Sequence, residues 1–392
     1  MAQPGTSSII NLSAEPLLSP PARDQARRNF YHIVDHFDTQ GGTVGGGDGG
    51  NRSNIGGGGP QYTRPLLIRL TYDFSLSPLS QDNFLRAFFR SLELSIDEDI
   101  GSELDEQVRT RFFGFADYLI NNFFLPIKAT TRQTPQPSPA FHSAVQRIQG
   151  GGEFAGTPDR LSALRGACLI RDRHRCVVSR SFDWVEADRR FRRDAGNARD
   201  DDGALLEPTP LDHLEVAHIL PHSLTKLGKD SELDPSKQAA LAILNMFDDG
   251  VTHLIEGTDI DRPRNALTLT LAMHRWFGDF KIFFEPVPAA PEPHTYSIKG
   301  LGYPALFKNL VPITRTLYLT DNRTIEPPSP RLLAIHRAIA HILHLSAAGE
   351  YIDKILDDME GTRGQGVEAD GSTDLGRLVH LGLWLDGAVG AC

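Results

Sequence analysis

Two short segments constrain this chain more than any other feature. Glu215-Val-Ala-His-Ile-Leu-Pro-His-Ser223 starts as a short apolar run and meets Pro221, which has no N–H to continue a ladder. The run reads as a buried strand with His218 at its end. If that strand is regular, Glu215 and Ala217 share one side and Val216 takes the other. Downstream, Arg264-Asn265 follows the turn signal Asp261-Arg-Pro263. Thr270 is a good N-cap and Gly278 a good stop, which brackets a helix of about two turns over 271–277. His274 sits on that helix, nine residues after Asn265. Whatever fold forms must therefore present a histidine at a strand end, an asparagine in a turn and a histidine on a short helix.

The rest of the chain sets limits around these anchors. Its 392 residues allow two or three domains and a substantial core. A net charge of −10 argues against broad, non-specific nucleic-acid binding but leaves room for a local basic face. No run approaches 18 apolar residues, so no membrane partner is expected. The N-terminus carries no basic stretch followed by an apolar core. Together with three cysteines, too few for a disulfide framework, this points to an intracellular site, nucleus or cytoplasm.

Composition divides the chain as follows. Residues 1–64 form a Gly-rich, poorly ordered N-terminal region, with an isolated helix at 24–37 that has little to pack on. Residues 65–130 form a helical region, entered through an extended segment at 66–73. Ser80 and Asp82 are the candidate caps of its first helix, and a second helix spans 103–124. Its aromatic stripe, Phe112, Phe115 and Phe123 among others, reads as core. Residues 131–157, rich in Pro, Ser, Gln and Gly, read as a linker. The motif-bearing region runs over 158–300 and closes with a hairpin of 279–285 and 294–299. C-terminal helices occupy 301–361, and 362–392 are a mostly flexible tail.

The order His218, Asn265, His274 resembles the HNH nucleases, also called ββα-metal nucleases, of the type found in fungal proteins that carry an HNH domain. The resemblance covers about 160–300. It implies an α+β chain with a central HNH-type ββα-metal domain flanked by N-terminal and C-terminal helical regions. It implies a metal-dependent endonuclease that hydrolyses phosphodiester bonds in nucleic acid, most simply DNA. In that scheme His218 is the general base, Asn265 fixes the loop that holds it, and His274 binds a divalent ion, Mg²⁺ or Mn²⁺ with Zn²⁺ as the alternative.

The chain also departs from that pattern. The position before the base histidine, a frequent metal ligand, is Ala217, and the one a helical turn after His274 is Gly278. Glu215 is the first substitute ligand and His222 the second, with Asp212 and Asp279 behind them. No structural zinc is expected, because Cys176-Val-Val-Ser179 supplies one thiolate where about four ligands are needed; Cys168 reads as a small buried hydrophobe. Over 165–193, nine arginines against four acids leave a local +5. Arg171, Arg173 and Arg175, with Arg264 and Arg275, are the candidate nucleic-acid contacts. The competing reading of the arginine-rich segment is a solvated face balanced by Asp200-Asp201-Asp202. The spacing of 47 residues from His218 to Asn265 exceeds what a compact motif needs, and the helix-like 236–247 within it shapes access or marks drift from nuclease function. The competing function is a catalytically decayed HNH-fold scaffold that binds nucleic acid or a protein partner.

Overall fold

Helical spacing of Phe, Leu and Ile builds one half of the molecule, and short strands build the other. The computed structural model describes residues 15–39, 43–44, 62–101, 104–131, 157–224, 235–307, 309–320 and 324–365. The glycine runs at 41–50 and 56–60, most of the linker expected at 131–157 and most of the tail at 362–392 lie outside the described residues. The chain divides into two units. The first comprises Met1–Ala129, Ser223–His253 and His341–Cys392; the second comprises Thr130–His222 and Leu254–Ala340.

In the first unit, α1 (Pro20–Thr39) buries Phe30, Ile33, Val34 and Phe37, an i, i+3, i+4, i+7 stripe. This corrects the expectation that the helix has little to pack on. Phe30 meets Phe84 and Phe88 edge to face, with ring centroids 5.8 and 5.0 Å apart, and Arg23 forms a two-point ion pair with buried Asp82. A two-residue bridge, β1 (Thr43–Val44) with β2 (Tyr62–Thr63), precedes α2 (Arg64–Asp73). Residues 66–73 are thus helical and not extended. Pro65 falls in the first turn, where its fixed φ suits a helix, and Leu67, Ile68, Thr71 and Tyr72 are buried at helical spacing.

In α3 (Pro78–Leu92) the cap is Ser77, whose hydroxyl accepts from the Ser80 amide at 3.1 Å. The expected caps do other work: Ser80 accepts from the Asp249 amide, and Asp82 holds Arg23. α4 (Glu106–Leu119) is capped by Asp105 and continues through a π-helical turn, Ile120–Phe124, into α5 (Leu125–Thr131). The long spacer after His218 supplies α8 (Pro235–Phe247) to this unit, and Phe247 stacks on Phe123 at 5.4 Å.

In the second unit, α6 (Thr157–Arg171) leads into a tight turn. It is followed by β3 (Phe182–Asp183), α7 (Trp184–Asp194) and β4 (Leu211–Asp212), which pairs in parallel with β3. β5 (Leu214–His218) then pairs antiparallel with β6 (Ala266–Thr270), setting His218 opposite Ala266. All five residues of β6 are buried, as a strand covered on both faces requires. Leu164 and Cys168 of α6 cluster with Val216 and Ala266, and burial pushes the Cys168 thiol up to about 12, so it packs as a small hydrophobe. α9 (Leu271–Gly278) packs on β5 and β6 and is capped by Thr270 accepting from the Met273 amide. The hairpin expected after Gly278 is β7 (Ile282–Pro286) with β8 (Thr295–Gly300), extended by a third strand, β9 (Ile313–Thr316). Of two further helices, α10 (Pro330–Leu345) runs from the second unit into the first and α11 (Ala348–Gln365) belongs to the first. The chain is mixed helix and strand, an α+β protein. Among the described residues, no single helix is long and apolar enough to cross a membrane.

Candidate active site

The β5 to β6 pairing brings His218 next to the turn that precedes β6, and Asn265 ties the two together. The Asn265 amide group donates to the Leu220 and Ile260 carbonyls at 2.9 Å each, and its side-chain oxygen accepts from the Leu220 amide at 3.0 Å. The Ile219 amide donates to the Asn265 carbonyl at 2.8 Å. Fully buried and satisfied, Asn265 fixes the segment just after His218. The turn itself is anchored from below by Arg171, which donates to the Pro263 carbonyl at 2.7 Å and the Ala266 carbonyl at 2.9 Å. Arg171 is also paired with Asp172 at 2.8 Å with both side chains fully covered, and Asp172 accepts from the Thr268 amide. Arg171 is thus removed from the nucleic-acid candidates. A guanidinium with no exposed surface reaches no phosphate.

Asp261, read from sequence only as part of a turn, turns out to be the center of a polar cluster. His218 Nε2 lies 3.2 Å from its Oδ1, and Arg160 Nε lies 3.3 Å from its Oδ2. His222 Nδ1 lies 3.0 Å from the same Oδ1, at an angle that makes it an ion-pair contact and not an aligned hydrogen bond. Burial works against the Asp261 charge, but the contacts from His218 and His222 more than offset it and hold the carboxyl well below the usual carboxylate range. Nothing in the sequence marks Asp261 beyond an acid four residues before Asn265. Its role follows from the 3₁₀ turns Gly257–Asp261 and Pro263–Asn265, which fold it back on the strand end.

His274 takes a different partner. Its Nδ1 stands 2.6 Å from Glu215 Oε2, a contact between α9 and the strand side that Glu215 shares with Ala217. His222 does not join them. Among the described residues, no group of three or more His, Cys, Asp or Glu side chains is arranged to hold a metal ion. The expected ligand set of His274, Glu215 and His222 therefore splits, because the Asp261 carboxylate draws His222 toward His218. Asp212 accepts from the His213 amide, and Asp279 lies 3.3 Å from Lys281.

Glu215 and His274 still suit a hard divalent ion. An ionised carboxylate only accepts, so Nδ1 donates to Glu215 and the His274 Nε2 lone pair is left for a ligand bond. Mg²⁺ is commonly bound by one or two carboxylates, with water and substrate phosphate completing its shell, and Glu215 is the carboxylate beside His274.

The arginine-rich segment is balanced from within. Arg173 pairs with Asp202, Arg175 with Asp200 at 2.6 Å and Arg190 with Asp201 at 2.7 Å. His174 stands 2.9 Å from Asp201, which stays charged down to about 2: burial opposes this, and the bonds from His174 and Arg190 overcome it. Arg264 pairs with Asp259 at 2.5 Å and donates to the Leu254 carbonyl. Arg173, Arg175 and Arg264 are therefore engaged by neighbors and not displayed as free charges. Arg275 is exposed on α9 and, among the described residues, its side chain has no hydrogen bond or ion pair. In the tight turn, Cys176 Sγ accepts from the Ser179 amide at 3.4 Å.

Residues 176–285 match the HNH endonuclease family, and the chain carries a domain of that family over this span. No curated protein and no solved structure matches the chain. A domain of this family suggests a nuclease-type function and implies nucleic acid in general as the class of partner, and such nucleases in general use a divalent metal.

Proposed function

We propose that this protein is a metal-dependent endonuclease that hydrolyses phosphodiester bonds in DNA, with His218 as general base. The observation that carries this reading is the Asn265 latch: two side-chain hydrogen bonds hold Leu220, just after His218, and a third holds the Ile260 carbonyl, which together fix the imidazole's origin. Histidine suits the role because its ordinary pKa lies near neutrality. His218 takes a proton from a water as the water oxygen attacks phosphorus, and the bond to the 3′ oxygen breaks. His274, oriented by Glu215, is the residue that would hold Mg²⁺ or Mn²⁺. When bound, such an ion stabilises the charge that develops on the phosphoryl and leaving oxygens. Arg275 is the arginine best placed to meet a phosphate, since it is exposed on the same helix as His274.

Purified protein is expected to nick supercoiled plasmid DNA with Mg²⁺ or Mn²⁺ and to stop when EDTA is added. His218→Ala should abolish cutting and leave Mn²⁺ affinity intact, whereas His274→Ala should weaken Mn²⁺ binding and recover partly at raised metal. Cleavage that survives His218→Ala would remove that residue from the mechanism.

A second reading is favored by a specific observation. Because Asp202, Asp200 and Asp259 engage three of the five candidate arginines, a non-catalytic HNH-fold scaffold for nucleic acid or a protein partner accounts for the same surface. Partner binding that persists in His218→Ala and His274→Ala, with no cleavage by the parent protein, is the outcome that selects the scaffold.

A further inference from the structure

The cluster around Asp261 has a chemical consequence for His218. An imidazole with one nitrogen bonded to an ionised carboxylate must place its proton there, since a carboxylate accepts and does not donate. His218 Nε2 is the nitrogen that faces Asp261, at 3.2 Å, and the Asp261 side chain is only 2% exposed. His218 Nδ1 is buried and has no hydrogen-bond partner among the described residues.

We propose that Asp261 is the positioning residue of the nuclease site: it holds His218 as the Nε2–H tautomer and leaves Nδ1 as the atom that receives the proton. The proposal rests on the reading of His218 as general base. In the reaction, the water oxygen bonds to phosphorus, the water proton moves to Nδ1, and the phosphorus bond to the leaving oxygen breaks. The positive charge gained by the ring is met by Asp261 through Nε2–H. Arg160 holds the far carboxylate oxygen and keeps Asp261 facing the ring. Two features support the assignment independently of catalysis. Asp261 stands in a turn that Asn265 also grips through the Ile260 carbonyl, so the acid and the strand end move as one body. Its carboxyl is held well below the usual carboxylate range, so it is charged wherever histidine titrates.

The test uses the full-length chain labelled with ¹⁵N. In the wild-type protein above the histidine titration range, the His218 resonances, assigned by their loss in His218→Ala, should show a protonated Nε2 and an unprotonated Nδ1. Asp261→Asn should disturb that pattern and lower kcat for plasmid nicking with Mg²⁺ by about 10²- to 10⁴-fold, with KM little changed. Asp261→Glu should recover part of the rate. A wild-type spectrum with Nδ1 protonated overturns the proposal, as does a folded Asp261→Asn protein with full kcat. If the wild-type protein cuts no DNA, the nuclease reading fails, and the wild-type spectrum alone still decides what Asp261 does to His218.

Discussion

Arginine is the residue type on which chemical intuition and structure diverge most here. A segment with a local +5 invites a phosphate-binding face, yet Arg171 is among the most buried side chains of the protein. Its guanidinium satisfies three carbonyls and the Asp172 carboxylate, and it is this fork, with donors in fixed directions, that ties α6 to the turn before β6. Breaking a buried pair leaves an uncompensated charge, so Arg171→Ala should cost about 3–5 kcal/mol. Arg171→Lys should recover little of that, because an ammonium cannot reproduce the fork. Urea denaturation measures both. Arg275→Ala should behave oppositely: stability within about 0.5 kcal/mol of the parent, weaker DNA binding, and a log-affinity against log-salt slope shallower by about 1. An unchanged slope would take Arg275 out of the interface.

Elements show why part of the fold is legible in sequence and part is not. The helix α9 can be read directly from its local cap, Thr270, whereas Gly278, expected as its stop, is its last residue and Asp279 is the C-cap. The strand β5 is equally plain, since its apolar run stops short of Pro221, and it ends at His218. α2 is not, because Leu66-Leu-Ile-Arg-Leu is apolar enough for a strand, and only packing of Leu67, Ile68, Thr71 and Tyr72 selects the helix. The Asn265 latch falls in the legible part. Asp261 does not, since a turn acid has no period and its partner lies 43 residues away. The same long-range logic governs His336 on α10. Its ring stacks on Phe277 of α9 at 3.8 Å and on Phe280 at 4.7 Å, and its Nε2 donates to the Phe277 carbonyl at 3.0 Å. Burial, opposed only in part by that hydrogen bond, pushes its pKa down to about 3 from an ordinary 6.5. Between those values the unfolded chain holds the proton and the folded chain does not. Stability from this group is therefore complete above about pH 6.5 and falls as the pH drops toward 3. His336→Phe keeps an aromatic stack and removes the titration. Its unfolding free energy should lose up to about 1.4 kcal/mol per pH unit of slope between about pH 4 and 6. Denaturant melts across that range, run on both proteins, would show the difference, and parallel slopes would contradict it.

At the scale of the whole molecule, the spacer between His218 and Asn265 explains itself by the unit it joins. The chain leaves the second unit after His222 and returns at Leu254, and in between it contributes α8 to the core of the first. Phe247 stacks on Phe123 and meets Phe124 edge to face, while Ser75 donates to the Met246 carbonyl at 2.7 Å. The first unit is thus assembled from three separate stretches of chain, and the matched HNH span contains one of them. Length that looks like drift from a compact motif is, in folded terms, a structural donation. The consequence is testable. Phe247→Ala removes a fully buried ring and should destabilise the first unit by about 3–5 kcal/mol. Stability is not uniform across a structure, so the loss should appear first where the ring packs. Amide hydrogen exchange is therefore expected to accelerate in α4 and α8, while the amides of β5 and β6, held by their own ladder, by Asn265 and by Arg171, should keep their protection under native conditions. Equal acceleration in both sets would mean that the two units open together, and the spacer would then be part of the nuclease domain's own stability.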